Sequence, residues 1–488
     1  MKPKSTIFST ITALALVILS LASTLPVLAA TVTGVVMDAD KVTIANATVW
    51  LIPAADIASM AKTPISIKRD ASNDEPLEDN LAANRNRYQH AKTDSTGKFS
   101  LNNTGEGKFF LYVEPADSKY LPGGDKSRNA MSTKELSAAP LTIKISGNIP
   151  VGSTYVGTSK CLKCHEDQEH FTQTLHRLGI KALGKDSKLQ DYSRFPDFNQ
   201  GLDKLMAGTK FWLYNFDKKR SFDKYMISDH QPDDLNSVSY TATFYKDSDG
   251  TLKFRTENVR DPSDPARVYP VELTYGGGLY KQRYVYRVGA NLFPFVQFNT
   301  YGEASYGSRT RKPWRDYHGD WLFDEKIAKL KNPPQGKSFD KNCASCHYSG
   351  YSLTKTAKGD YIAGSTNDKH GELDIDGDGE ANELNMGCET CHGPGSVHAK
   401  SEESVSIVSP DKLASERASM ICGQCHDRAQ GHLKTSPAGW PRQPRPPVAT
   451  TTSISPTSTG SPMPALPTHP RWRRPGSQRW SSASRATR

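Results

Sequence analysis

Apolar and polar positions alternate in short runs through the first third of the chain. Thr31–Met37 is rich in β-branched residues and ends at the turn Asp38-Ala39-Asp40. Thr48–Ile52, Lys98–Leu101, Phe109–Val113 and Leu141–Ile145 follow the same habit, and Asp94-Ser95-Thr96-Gly97 supplies a further turn. Strands at this spacing predict an antiparallel β-sandwich over residues 31–147. A polar insertion at 62–92 carries His90, which reads as solvent-facing. Gly147-Asn148-Ile149-Pro150 reads as a linker. Beyond it, Glu166–Ile180 sets Phe171, Leu175 and Leu178 at helical spacing and predicts a helix. Alternation returns in Ser237–Phe244 and Thr251–Thr256, joined as a hairpin by Lys246–Gly250, and again in Val268–Tyr275 and Tyr284–Val288. Gly276-Gly277-Gly278 reads as a turn, since the Gly-Lys-Ser/Thr and the following helix of a phosphate loop are missing. Past residue 342 apolar periodicity fades, so something other than side chains must supply a core.

Composition points the same way. Only 36% of residues are hydrophobic, low for one large conventional core in 488 residues. The eight cysteines fall in four Cys-x-x-Cys-His strings: Cys161-Cys164-His165, Cys343-Cys346-His347, Cys388-Cys391-His392 and Cys422-Cys425-His426. This string is the attachment signature of c-type haem: each cysteine forms a thioether to one vinyl group, and the histidine binds iron from one side. A disulfide framework or four-cysteine zinc sites are the alternatives. Neither explains a histidine after every pair. The first cysteines of strings two to four stand at 343, 388 and 422, a spacing suited to a peptide wrapped around porphyrins.

The formal charge of +10 is unevenly spread. Lys2 and Lys4 account for part of it. Residues 435–488 add eight arginines and no acid, and hold eleven prolines. Residues 31–434 are therefore near neutral, and a nucleic-acid footprint is not supported. Residues 1–30 read as a signal peptide: a basic start, the apolar run Ala13–Leu19, and small residues at Leu28-Ala29-Ala30. A membrane anchor is the alternative reading of that run. No later segment has the apolar length to span a bilayer, so no transmembrane segment is expected in the mature chain. Export to the periplasm or cell surface suits haem attachment outside the cytoplasm. The 435–488 tail reads as Pro/Ser/Thr/Arg-rich and disordered, or as the product of a reading-frame change near its start.

Asp374-Ile375-Asp376-Gly377-Asp378-Gly379 follows a calcium-loop pattern, with acids at positions 1, 3 and 5 and glycine at 6. Position 12 is Asn385 in place of glutamate, so Glu383 is the candidate fourth ligand. A solvated acidic turn is the alternative. Each iron also needs a second axial ligand or an open position. His170, His176, His230, His318, His370, His398 and His432 are available outside the strings, the sandwich and the tail. Trp314, Tyr317 and Trp321 surround His318, as a haem cover or as core.

Three segments, Gly34–Asp38, Ile44–Leu51 and Thr93–Leu101, resemble the carboxypeptidase regulatory-like (transthyretin-type) β-sandwich, a domain without catalytic residues. Asn342–Tyr351, Gly387–His398 and Ile421–His426 resemble multihaem c-type cytochromes, and the nearest group is the tetrahaem carriers of the hydroxylamine pathway. Lys281-Gln282-Arg283-Tyr284 and Trp314–Trp321 add to that likeness, which covers 151–434. The resemblance implies that His398 and His176 are distal ligands to haems other than the one beside each. His318, His370, His230 and His432 remain lower-ranked candidates. The expected fold is multidomain: an N-terminal antiparallel β-sandwich, a haem-packed α+β multihaem cytochrome domain with sparse secondary structure over 151–434, and a disordered tail. The expected function is electron transfer through four haem c groups. Its partners would be redox proteins, either other cytochromes or quinol-linked reductases. The alternatives are a multihaem oxidoreductase acting on a small nitrogen or sulfur compound, and a zinc-stabilised surface binding scaffold. The Cys-x-x-Cys-Lys variant of related nitrite reductases is absent, and this favours a carrier over an enzyme.

Overall fold

The computed structural model describes residues 30–56, 81–183, 200–215, 227–276, 281–299, 304–306, 309–311, 313–369, 371 and 373–426. The signal reading of 1–30 apart from Ala30, the 435–488 tail, His370, His432 and Gly277-Gly278 lie outside the described residues.

The first unit is a two-sheet β-sandwich. Its strands are β1 (Ala30–Met37), β2 (Thr48–Pro53), β3 (Gln89–Lys92), β4 (Lys98–Thr104), β5 (Lys108–Glu114), β6 (Met131–Ser132) and β7 (Leu141–Lys144). One sheet runs β4-β1-β7 and the other β3-β2-β5-β6. Val32, Val36, Val49, Leu51, Leu111, Val113 and Ile143 fill the space between them. Each such side chain, fully buried, stabilises the fold by about 1.5–3 kcal/mol. The antiparallel expectation needs a correction, because β7 pairs with β1 in parallel, Gly34 opposite Leu141. The chain crosses between sheets after β6 through the helix Thr133–Ser137, held by a Ser132–Glu135 capping box, and so enters β7 in the direction of β1. His90 is exposed and its ring lies 4.4 Å from that of Trp50, away from every cysteine string.

The second unit corrects the expectation of sparse structure. Strands β8 (Ile180–Ala182), β9 (Lys210–Tyr214), β10 (Ile227–Ser228), β11 (Val238–Lys246), β12 (Leu252–Asn258), β13 (Arg267–Tyr275), β14 (Gln282–Val288), β15 (Asn291–Phe298) and β16 (Trp314–Asp316) form a nine-stranded sheet. Its order is β10-β9-β11-β12-β13-β14-β15-β16, with β8 on the side of β13, and all pairings are antiparallel. The edge strands β10 and β16 approach each other, so the sheet nearly closes. Phe211, Tyr240, Phe244, Phe254, Tyr286, Phe293 and Phe295 pack inside it. This stretch therefore carries an aromatic core of its own and does not borrow one from porphyrin.

The helix expected over Glu166–Ile180 is also corrected. Glu166–Gln173 is a 3-10 helix, a turn follows, and Ile180 begins β8. Thr172 and Thr174 hydrogen-bond back to the carbonyls of Glu169 and Phe171, a competitor to helix propagation. Leu178 is buried while Leu175 is 45% exposed, so the three apolar residues do not form one stripe.

Residues 338–426 hold short helical turns, a hairpin of Ser352–Lys355 with Tyr361–Gly364, and the twelve-residue helix Ser415–His426, and they pack against both units. They meet the sandwich closely: Gly123 bridges to Leu413, and Arg128 donates to the Pro410 carbonyl. Leu121, Val408, Leu413 and Ile421 form a small shared core. The linker at Gly147 is thus a packed joint, where a Cβ would fall 2.5 Å from Val405 backbone. Among the described residues, no helix is long and apolar enough to cross a membrane.

Candidate haem-attachment cluster

Each of the four strings sits on a helical turn: Thr158–Cys161, Ala344–Cys346, Cys388–His392 and the end of Ser415–His426. Cys164 N–H donates to Cys161 O, and His347 N–H to Ala344 O. On such a turn residues three and four apart share a face, so both sulfurs and the histidine point to one side. All eight cysteines are unpaired by disulfide.

The strings are contiguous in space. The thiols of Cys161 and Cys388 share a hydrogen bond, which with burial raises Cys161 and, against burial, pulls Cys388 down to about 7. Cys391 has Cys422 as a neighbour. Cys346 Sγ lies 3.9 Å from Gln424 O. The third string therefore touches the first and the fourth, and the second touches both the fourth and, through Ser349 and Thr390, the third.

Two buried carboxylates lock the first and third strings together. Glu389, between the two cysteines of the third string, accepts from Val156, Gly157 and Gly395 N–H. Glu383 accepts from Thr158 N–H and pairs with Arg177 at 3.0 Å. Burial raises both carboxyls above their ordinary value. Glu383 is fully buried here and is absent from the acidic loop, so the candidate calcium role for it is corrected. Thr158 N–H and Arg177 hold it instead. Asp374, Asp376 and Asp378 do converge, with ligand oxygens within 4.8 Å of one another. Asp374 accepts from Gly377 and Gly379 N–H, and Asp376 Oδ1 is buried without a hydrogen-bond partner among the described residues.

The histidines divide into groups. His165 and His398 face each other with ring centres 6.2 Å apart and planes 19° from parallel. His176 and His426 stand 6.1 Å apart at 79°. Two imidazoles sharing one metal, each at a metal–nitrogen distance of about 2.0 Å with the ring centre roughly 1.1 Å further, need a separation of about 6.2 Å. The ring-centre separations of both pairs match that figure. His398 Nδ1 lies 2.9 Å from Glu403 O and His392 Nδ1 lies 2.8 Å from Val408 O, which leaves Nε2 of each free to face a metal. Burial holds His392 below its ordinary value and His347 down to about 4, so both rings are neutral and able to ligate.

The remaining candidates are elsewhere. His230 is exposed beside Asp229. His170 is exposed with Nδ1 near the Asp167 carbonyl. His318 adopts a left-handed backbone (φ 90) and stacks on Trp321 with ring centres 3.9 Å apart and planes at 3°. Burial lowers it to about 4, and Arg283 and Lys337 add to that. His347 packs against Tyr275 and Phe339, with no second histidine ring against it among the described residues. Sequence reasoning missed Glu389 and Arg283. The first was masked as a variable position inside a string, and the second was noted only as part of a resemblance.

No protein-family model and no curated protein matches this chain. Among solved structures it is similar to the outer cell wall cytochrome OcwA, at 17% identity over 51% of this chain and 33% of that one, with a TM-score of 0.21. The chain spans about a third of that protein's length, and a superposition at this score does not establish a shared fold.

Proposed function

We propose that the chain is an exported multihaem c-type cytochrome that relays electrons through four covalently held haems. The observation that carries this reading is the pairing of His165 with His398 and of His176 with His426, at the spacing one iron demands. Haem c, when bound, supplies a one-electron couple whose potential follows its axial ligands and surroundings. The chain's own residues do the rest. Cys161 and Cys164, Cys343 and Cys346, Cys388 and Cys391, and Cys422 and Cys425 anchor; His165, His347, His392 and His426 ligate from the attachment side. His398 and His176, from distant parts of the chain, close the opposite side of the first and fourth sites. Six-coordinate sites of this kind change geometry little with oxidation state and exclude substrate. Contact between successive strings supports a continuous path. Redox proteins of the periplasm or cell surface are the partners this reading implies.

A second reading has one observation in its favour. His347 lacks a described histidine partner, so the second site is a place where a small nitrogen or sulfur compound would bind. The test of the first reading is direct. The exported protein, extracted with acidified acetone, keeps its Soret band and shows the mass of four haems. A zinc-loaded, haem-free product would refute the relay and favour the zinc-stabilised scaffold.

A further inference from the structure

Beside the second string lies a cation without an anion. Arg283 in β14 is half-buried and donates through Nε to Gln297 Oε1 at 3.0 Å. Its guanidinium carbon sits 4.0 Å from the ring centre of Tyr317 and 5.1 Å from that of Tyr275. Three other half-buried arginines are matched with carboxylates, Arg177 with Glu383, Arg260 with Glu325 and Arg287 with Glu272, while Arg267 donates to Asn332 Oδ1 and the Leu330 carbonyl. Arg283 has no such partner among the described residues. The nearby acids Asp316 and Asp320 lie toward Tyr240 and Tyr286 inside the sheet. A second, independent sign is the Tyr275 hydroxyl. Tyr275 is 4% exposed; its oxygen interacts with the Arg283 side chain, and its O–H has no acceptor among the described residues. Buried polar groups are nearly always satisfied, and an unsatisfied one beside an unpaired guanidinium marks a missing acceptor. The same Tyr275 ring meets His347 at 5.4 Å, so this hydroxyl and guanidinium adjoin the second string.

We propose that Arg283, Tyr317 and the Tyr275 hydroxyl form a site for a planar carboxylate or oxyanion next to Cys343–His347. Arginine offers two parallel N–H groups to such an anion, the tyrosine hydroxyl a third donor, and the two rings exclude water and hold the fork in plane. The inference rests on the relay reading for the presence of haem at that string. Two sources share this chemistry: a propionate of that haem, or a diffusible oxyanion.

The test uses the full-length holoprotein, its Arg283→Gln and Arg283→Lys variants, and Tyr275→Phe as a milder change. Nitrite is titrated while the visible spectrum is followed, and redox-difference infrared spectra report the haem carboxylates. A saturable nitrite response of one haem, weakened at least tenfold in Arg283→Gln, assigns the site to a diffusible anion. No nitrite response, with a carboxylate band that shifts in Arg283→Gln and partly returns in Arg283→Lys, assigns it to a propionate. Where Arg283→Gln does not accumulate, Tyr275→Phe is read by the same two measurements, with a smaller shift in the same direction. An intact haem count with neither response overturns the site. Loss of covalent haem at Cys343 and Cys346 in the unmutated protein counts instead against the relay.

Discussion

Replacing His398 by alanine isolates one axial position. In the structure His398 is the ring facing His165, and it comes from a helix (Ser396–Ser401) that carries none of the attachment cysteines. The substitution therefore leaves every thioether in place. Four strings are present, so one haem in four should pass from low to high spin and should bind one carbon monoxide per chain more than the unmutated protein. His176→Ala should add one as well, and the double variant two, because the two pairs are separate and share no ring. The paramagnetic resonance spectrum identifies which haem has changed. The near-parallel pair His165–His398 should give a rhombic low-spin signal, and the near-perpendicular pair His176–His426 a single large-g feature. His398→Ala should remove the first and spare the second, and added imidazole should restore it. An unchanged carbon monoxide stoichiometry at an intact haem count of four would refute the pairing. His230→Ala is the control and should change nothing.

Three further outcomes are expected. Replacing Cys388 and Cys391 by alanine should lower the haem mass of the exported protein by one, read by mass spectrometry; an unchanged mass sinks the attachment assignment. Asp340 is 3% exposed and burial raises its carboxyl to about 6, so its penalty is absent below about pH 4 and develops as pH rises through 6. Asp340→Asn, still accepting from Leu292 N–H, should stabilise the protein at pH 7 by roughly 3 kcal/mol and by nothing at pH 4, which denaturant midpoints at the two pH values will show. Calcium should raise the melting temperature of the unmutated protein and not of Asp376→Ala, since ligand binding to the folded state stabilises by mass action; equal melting with calcium and with chelator rejects the loop as a site.

The Cys-x-x-Cys-His string is local, which is why all four could be read from sequence alone. The hairpin β11–β12 and strands β13 and β14 were legible for the same reason: alternation and turn residues act within a dozen positions. Strand β15 was not. All eight residues of Asn291–Phe298 are buried, so alternation disappears, and Pro294 argues against a strand until the register shift opposite it is seen. Parallel pairing of β7 with β1 depends on a crossover that local pattern does not reveal. The approach of His165 and His398 joins positions about half the chain apart; the resemblance marked His398 as a distal ligand and left its partner open. The helix expected over 166–180 failed because Phe171, Leu175 and Leu178 fit a three-to-four residue spacing whose inward face does not exist in the fold.

The joint between the sandwich and the last helical turns has a consequence for assembly. Arg128 and Pro410 touch across 282 positions, and Ser409 N–H donates to Ser146 across 263. A chain emerging amino end first completes the sandwich long before the segment it must hold exists. Contacts of such separation form late and slowly. The fourth string, at the end of the helix that docks there, should therefore remain the most accessible to the attachment machinery for longest. On the relay reading, closure of this joint would seal the cluster only after the fourth string had been served.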